Sequence, residues 1–146
     1  MDERKYDVLK IKNQLCFPIY ACSREVIKMY KPYLDELDLT YTQYITMLVL
    51  WEKKEVNVKE LGKCLYLDSG TLTPLLKKLE AKGLLFRERS KEDERNLIVT
   101  LSDAGIALRD KAINVPTELA KGVKLNSEEV IQLYHLLYKA LGEEVE

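Results

Sequence analysis

Three cysteines and one histidine carry most of the reactive side-chain chemistry open to this chain of 146 residues. Cys16, Cys22 and Cys64 are an odd number and no export signal accompanies them, so we expect at least one free thiol and no disulfide framework. His135 is the only histidine, which excludes a Cys/His zinc cluster and leaves one candidate base for a Ser or Cys triad. The sequence therefore predicts neither a metal site nor a bound cofactor.

Composition and charge limit the partners of the chain. Hydrophobic residues make up 47% of it and charged residues 32%, and neither an apolar run of membrane length nor a basic-then-apolar leader is visible. We therefore expect a cytoplasmic protein with no membrane partner, able to bury a core as one domain over 1–146. The formal net charge of -1 argues against a protein that is basic all over. Any nucleic-acid site must be a local basic patch.

Two of the cysteines belong to a segment with helical patterning. Apolar residues at spacings of three and four predict a long helix over about 8–31: Val8, Ile11, Leu15, Ile19, Cys22, Val26 and Met29. Pro18 removes a backbone donor, so this helix is expected to kink or restart there, and to end near Pro32. A cysteine beside an apolar stripe is usually a buried structural thiol, and we expect Cys22 and Cys64 to pack in the core.

Shorter helices and one hairpin follow, each with a local signal. Strand-like periodicity in Leu84–Glu88 and Asn96–Leu101, on either side of a charged loop, predicts a β-hairpin. A bend in the following helix is expected near Pro116. The start and stop signals of the helices are Thr40 with Gln43, Asn57 with Glu60, Gly83 as a C-cap, Ser102, and Asn126 with Glu129.

This order of elements predicts a winged helix-turn-helix, in which three short helices precede a two-stranded hairpin. The expected fold class is mainly α with a small β-hairpin, with N- and C-terminal dimerisation helices. The helix before the hairpin would enter the major groove of DNA, and the hairpin tip would reach an adjacent groove. We expect a DNA-binding lobe over about 34–101 and dimerisation helices over about 8–31 and 102–142, because the terminal helices are apolar on wide faces.

The helix before the hairpin and the hairpin itself carry side chains suited to duplex DNA. Hydroxyls can bond base edges or phosphates, a glycine allows close approach of backbone donors, and basic side chains neutralise phosphates. Seven basic and five acidic residues lie between Lys77 and Arg95, so charge alone equally allows a solvated surface. The candidates are Ser69, Gly70, Thr71, Thr73, Lys77, Lys78, Arg87, Arg89, Lys91, Asp93 and Arg95.

Several motifs resemble the MarR family of dimeric winged-helix transcription regulators. The stretch Leu67–Glu80 and the wing pattern Asp-x-Arg, matched by Asp93 and Arg95, carry the resemblance, with Leu101-Ser102 after them. The front of the chain resembles the organic-hydroperoxide-sensing branch of that family. The residues that match it are Leu15-Cys16-Phe17, Tyr20, Ser23-Arg24, Tyr30 and Leu39-Thr40-Tyr41.

The resemblance implies a redox-sensing homodimeric repressor. Cys16 would be the peroxide-reactive thiol, and Tyr30 and Tyr41 of the other subunit would hold its thiolate by hydrogen bonds. Phenol donors and helix N-termini are known to lower a cysteine pKa. Oxidation of Cys16 by an organic hydroperoxide, then capping by a small cellular thiol or overoxidation, would release a palindromic operator. Pro18 departs from the family pattern.

Local sequence rules and the family resemblance predict different start positions for the helix before the hairpin. Local rules favour Thr73 as the N-cap with Pro74 at the first helical position. The resemblance places the start near Asp68.

Three other functions agree with parts of the sequence. The chain could be a MarR-type repressor that responds to small aromatic ligands, with Cys16 incidental. A thiol peroxidase would use the same cysteine but would not explain the wing. A helical protein-interaction module would show no salt-dependent binding to duplex DNA. We expect a regulator and not an enzyme; the sequence leaves the operator and the physiological oxidant open.

Overall fold

The computed structural model describes residues 2–146, which divide into two compact units, residues 2–116 and Thr117–Glu146. Two short 3-10 helices, Glu3–Leu9 and Ile11–Asn13, precede the α-helices. None of the helices described is long and apolar enough to cross a membrane. In chain order the elements are α1 Cys16–Glu36, α2 Tyr41–Lys53, β1 Glu55–Asn57, α3 Val58–Leu65, α4 Ser69–Ala81, β2 Leu85–Arg89, β3 Leu97–Leu101, α5 Asp103–Ala112, α6 Val115–Ala120 and α7 Ser127–Ala140.

Helix α1 differs from its prediction at both ends. It begins at Cys16, so the expected helix over residues 8–15 is wrong. Pro18 lies in its first turn, where a backbone N–H has no partner within the helix and its loss costs little. The helix then continues through Pro32 to Glu36, because Leu34 just beyond the proline is buried in the core. Tertiary packing thus outweighs the hydrogen bond that Pro32 removes.

The helix-turn-helix forms around a buried leucine core. Helix α4 begins at Ser69, and the Asp68 side chain caps it by accepting from the Thr71 backbone N–H at 2.7 Å. The local expectation of a start at Pro74 is therefore wrong, and the start that the resemblance implied is correct. Four leucines fix the helix in the core on the side away from Pro74: Leu72, Leu75, Leu76 and Leu79.

The wing is a three-stranded sheet and not a hairpin alone. Strands β2 and β3 form the predicted antiparallel hairpin, with each strand within about one residue of its predicted bounds. The missed strand β1 pairs antiparallel with β3, giving the order β1-β3-β2. Val56 and Val99 are register partners and both are buried, so the sheet is attached to the core of the lobe.

The C-terminal helices have the predicted caps, and an interruption lies close to the predicted bend. Ser102 caps α5, and Asn126 with Glu129 forms the predicted capping box of α7. The helix is interrupted between Ala112 and Val115. This interruption lies just before Pro116, near which a bend was predicted. Within Thr117–Glu146 no side chain is buried, and α7 exposes an apolar stripe. Its members are Val130, Leu133, Tyr134, Leu137 and, just beyond the helix, Leu141.

Candidate thiol site and nucleic-acid interface

Cys16 is the first residue of α1, and its side chain is exposed. The residue before it, Leu15, makes no side-chain cap, so the first amides of the helix are not satisfied by a capping side chain. An exposed thiol in this place is open to a peroxide and to a second thiol.

Tyr30 and Tyr41 lie together at the junction of α1 and α2. Their ring centroids are 5.0 Å apart, and Tyr44 lies 5.6 Å from Tyr30. Burial raises the pKa of Tyr30 to about 12, and the neighbouring Tyr41 and Tyr44 contribute to the rise. Burial also raises the pKa of Tyr41. Both phenols therefore keep their protons far above neutral pH and remain hydrogen-bond donors.

Cys16 and Tyr30 are too far apart to meet within one chain. Fourteen positions on an α-helix correspond to about 21 Å along the axis, and to a rotation only about 40° short of four full turns. Because α1 is continuous from Cys16 to Glu36, both side chains project from nearly the same face, at different heights. A contact between them requires a second chain.

The other two cysteines do not occupy the core positions that we predicted. Cys22 and Cys64 are both exposed. Cys22 follows the apolar stripe of α1, and its neighbours on that stripe, Ile19 and Val26, are exposed as well. In α3 the buried residue is Leu61, three positions before Cys64. Burial of an amphipathic pattern depends on what covers it, and the sequence does not give this.

Helix α4 presents every predicted DNA-contacting residue on its surface. Its buried positions recur with helical spacing on the opposite side, and Gly70, Thr73 and Lys77 follow one another along the outer face. The Thr73 hydroxyl donates to the Ser69 carbonyl at 2.9 Å and keeps acceptor capacity. Lys77 and Lys78 form no ion pair with any residue that the structure describes. The exposed predicted residues are Ser69, Gly70, Thr71, Thr73, Lys77 and Lys78.

The wing tip orders one arginine while leaving it exposed. The Arg95 guanidinium donates to both carboxylate oxygens of Asp93, at 3.1 and 3.2 Å, and its backbone N–H donates to the same carboxylate. These bonds hold the pKa of Asp93 below its usual range. The Arg95 side chain is nevertheless 89% exposed. Arg89 and Lys91, on the same hairpin, are also exposed.

Arg87 has a different environment from the other predicted DNA-binding residues. Its side chain is only 18% exposed, and it donates to Glu80 of α4 at 3.0 Å while its backbone N–H donates to the second oxygen of that carboxylate. The pair fixes β2 to α4. The geometry supports a role for Arg87 in holding the wing at a set angle to α4.

Sequence reasoning missed two lysines on α3. Lys59 and Lys63 line a groove that also includes Ser69 at the start of α4, and the charge of Lys59 contributes to the lowered pKa of Asp93 at the wing tip. The missed signal is general: the first helix of a helix-turn-helix crosses the DNA backbone, so its exposed lysines can reach phosphates.

Replacing Arg95 with alanine is expected to weaken operator binding, because an ordered, exposed arginine at a wing tip can enter the negative potential of a minor groove. A loss of about 1–3 kcal/mol and a shallower salt dependence are expected for a specific contact. Titration of operator and random duplexes at several salt concentrations measures both. An unchanged affinity and salt slope would remove the wing from the interface.

Comparison with known proteins agrees with this fold. A family model of the transcriptional regulator SarA/Rot matches residues 28–112. MarR of E. coli, solved as a mutant in complex with operator DNA, is 29% identical, with a TM-score of 0.76 and coverage of 87% of this chain and 93% of that one. The chain belongs to the MarR/SarA family of winged-helix transcription regulators, which confirms the predicted fold class.

Within that family the chain stands with the organic hydroperoxide branch, as the resemblance indicated. The organic hydroperoxide resistance transcriptional regulator of Bacillus subtilis is 48% identical over 95% of this chain and 95% of its own. AbfR of Staphylococcus epidermidis, solved in its reduced form bound to DNA, is 33% identical, with a TM-score of 0.78 and coverage of 95% and 96%. AbfR has also been solved overoxidised on DNA and in a disulfide form.

Proposed function

We propose that this protein is a homodimeric repressor that binds a palindromic operator and releases it when an organic hydroperoxide oxidises Cys16. The observation that carries the proposal is the placement of Cys16 and Tyr30 on one face of α1, too far apart to touch within a chain. Tyr30 supplies one protonated phenol further along that face, and Tyr41 of α2 supplies a second one beside it. A second copy of the chain completes the site.

The exposed apolar surface supports a dimer. Most of the large exposed hydrophobic residues lie in two segments, residues 6–27 and 123–141. Apolar patches of this extent on a single chain mark an interaction surface. The matched relatives are DNA-bound regulators, and an interface with two-fold symmetry would place two α4 helices to meet two half-sites of a palindrome.

Symmetry places the dimer axis on α1. If Cys16 of one subunit meets Tyr30 of the partner subunit, the reverse contact follows, and the two α1 helices are antiparallel. Their crossing point is then the residue halfway between, Ser23. Helices in contact have axes about 8–10 Å apart, and with Cα atoms about 2.3 Å from each axis, facing Cα atoms at the crossing are roughly 3.5–5.5 Å apart.

Replacing Ser23 with cysteine is therefore expected to give a disulfide between subunits, because this Cα separation overlaps the range of known disulfides. The variant is made with Cys16, Cys22 and Cys64 changed to serine, so that residue 23 carries the one thiol. Non-reducing electrophoresis after mild oxidation measures the product. Glu25→Cys in the same background, about 160° around the helix, is the matched control. Equal cross-linking at both positions, or none at residue 23, would contradict the antiparallel pairing.

The proposed chemistry needs only a thiolate, a peroxide and a thiol. The Cys16 thiolate attacks one oxygen of the hydroperoxide, the O–O bond breaks, and the alkoxide takes a proton to leave as an alcohol. Cys16 becomes a sulfenic acid, and a small cellular thiol then displaces its hydroxyl as water to form a mixed disulfide. The tyrosine phenols lose their thiolate acceptor, and the added group occupies the interface between subunits.

The DNA-binding roles follow the geometry of the exposed residues. Base readout falls to the first turn of α4, where Ser69, Gly70, Thr71 and Thr73 are exposed. The lysines neutralise phosphates: Lys77 and Lys78 on α4, Lys91 on the wing and, by proximity, Lys59 on α3. Arg95, ordered by Asp93, serves a minor groove together with Arg89, and Arg87 acts through Glu80.

The tyrosine assignment predicts slower sensing by Tyr30→Phe and Tyr41→Phe, because each removes one donor to the Cys16 thiolate. The rate of operator release after addition of hydroperoxide measures the effect. Tyr44→Phe is the matched control, since Tyr44 packs in the same ring cluster but is only 2% exposed and cannot reach a partner's thiol. A rate in either phenylalanine variant equal to that of Tyr44→Phe would remove that tyrosine from the site.

A further inference from the structure

Lys82 joins the end of α4 to the junction between α1 and α2. Its ammonium donates to the Gln43 side-chain oxygen at 3.1 Å and to the Asp38 backbone carbonyl, and it lies 3.6 Å from the Asp38 carboxylate. The side chain is 30% exposed, so these bonds are shielded in part from water. Lys82 is the C-cap residue of α4, directly after the element that presents the predicted base contacts.

The groups that Lys82 binds lie after the end of α1 and at the start of α2, the two helices that carry Tyr30 and Tyr41. Asp38 follows the C-cap of α1 and has a left-handed φ of 53°. Gln43 is 4% exposed, and its side-chain oxygen also accepts from the Thr40 backbone N–H at 3.1 Å, which completes the capping box of α2. Lys82 is thus bonded to the turn that follows α1 and to the first turn of α2.

The tyrosine pair adjoins the start of α2. Tyr30 itself lies six residues before the last residue of α1. Tyr41 is the first residue of α2 and stands between Thr40 and Gln43 of the capping box. Tyr30 packs against it at 5.0 Å. Any displacement of the tyrosine pair that moves the start of α2 must also move the acceptor that Gln43 offers to Lys82, or break that bond.

We propose that Lys82 is a positioning residue that couples the tyrosine pair to α4, an inference that rests on the proposed function. A displacement at the α1–α2 junction is transmitted to α4 through the bonds from Lys82 to Gln43 and Asp38. The outer face of α4 then shifts from its position on the DNA. Lys82 itself is not needed for base readout. Bonds of this kind transmit a signal only if the two ends change together, so removal of Lys82 should separate sensing from release.

The test compares operator affinity in two redox states for Lys82→Met, which keeps the aliphatic stem and removes the charge and donors. Coupling ratios of about 5- to 150-fold are usual in allosteric proteins. We expect the wild-type ratio of oxidised to reduced Kd to fall by about fivefold or more in Lys82→Met, with the reduced-state Kd changed less than about threefold. Lys111→Met, an exposed lysine on α5, removes the same charge elsewhere and should keep the wild-type ratio.

Gln43→Met gives an independent measure of the same link. If Gln43 acts through its bond to Lys82, the Lys82→Met Gln43→Met double variant should lose no more of the ratio than Lys82→Met alone. Equal weakening of both redox states would make Lys82 a general electrostatic or structural residue and overturn the inference. Additive losses in the double variant would do the same. The wild-type ratio of oxidised to reduced Kd is measured before any variant is compared. A wild-type ratio of one would reject the proposed function and not the role of Lys82 alone.

Discussion

Cys16→Ser is expected to abolish release from the operator by organic hydroperoxide while leaving DNA binding by the reduced protein nearly unchanged. Serine has almost the same size but cannot form a sulfenic acid or a disulfide. Cys16 is exposed and supports no core contact, so the substitution should not disturb folding. Fluorescence anisotropy of a labelled operator, before and after addition of hydroperoxide, measures both properties.

The chain supplies matched controls for this experiment. Cys22 and Cys64 are also exposed, so Cys22→Ser and Cys64→Ser remove accessible thiols outside the proposed site. Both variants should respond as the wild type does. A normal response from Cys16→Ser would transfer the sensing role to one of the other cysteines or end the redox interpretation.

The second large effect expected is a requirement for a small thiol. Protein treated with hydroperoxide alone should remain largely in the sulfenic state at Cys16, and release should become complete only when a small thiol such as glutathione is added or when Cys16 is overoxidised.

Helix geometry makes an internal disulfide with Cys22 unfavourable. On the continuous α1, six residues correspond to a rise of about 9 Å and leave the two side chains roughly 120° apart. Cα atoms joined by a disulfide are seldom more than about 7 Å apart. Peptide mass spectrometry under non-reducing conditions should therefore find Cys16 linked to the small thiol. A dominant Cys16–Cys22 or Cys16–Cys64 peptide would contradict this cycle.

Local signals in the sequence predicted the helix starts well. Thr40, Asn57, Ser102 and Asn126 cap helices as expected, since each cap satisfies backbone donors only two or three residues away. Such interactions depend only on residues within a short stretch of sequence. The strands of the hairpin followed from their two-residue period for the same reason.

The sequence-based predictions were wrong where contacts between residues distant in the chain determine the structure. Strand β1 is three residues long and exists because β3 offers it an edge. Helix α1 continues through Pro32 because Leu34 is buried in the core. Helix α4 continues through Pro74 because its leucines are buried in the core. A proline rule describes a helix in isolation, whereas packing of an apolar face supplies most of the stability of a short helix.

The candidate site shows the same division. Residue types and spacing pointed to Cys16, Tyr30 and Tyr41, but the 5.0 Å approach of the two tyrosines depends on how α1 packs on α2. Neither the pairing of Arg87 with Glu80 nor that of Lys82 with Gln43 follows from their separation in the chain. These contacts distinguish residues that can touch DNA from residues that hold the elements which do.

Redox control of DNA binding is tested most directly by the affinity of one duplex operator for reduced protein and for protein treated with organic hydroperoxide and a small thiol. We expect tight, salt-dependent binding in the reduced state and a loss of at least about fivefold on oxidation, reversed by a strong reductant. Equal affinity in the two states would contradict a redox sensor. Turnover of hydroperoxide without any binding to duplex DNA would indicate a thiol peroxidase in its place.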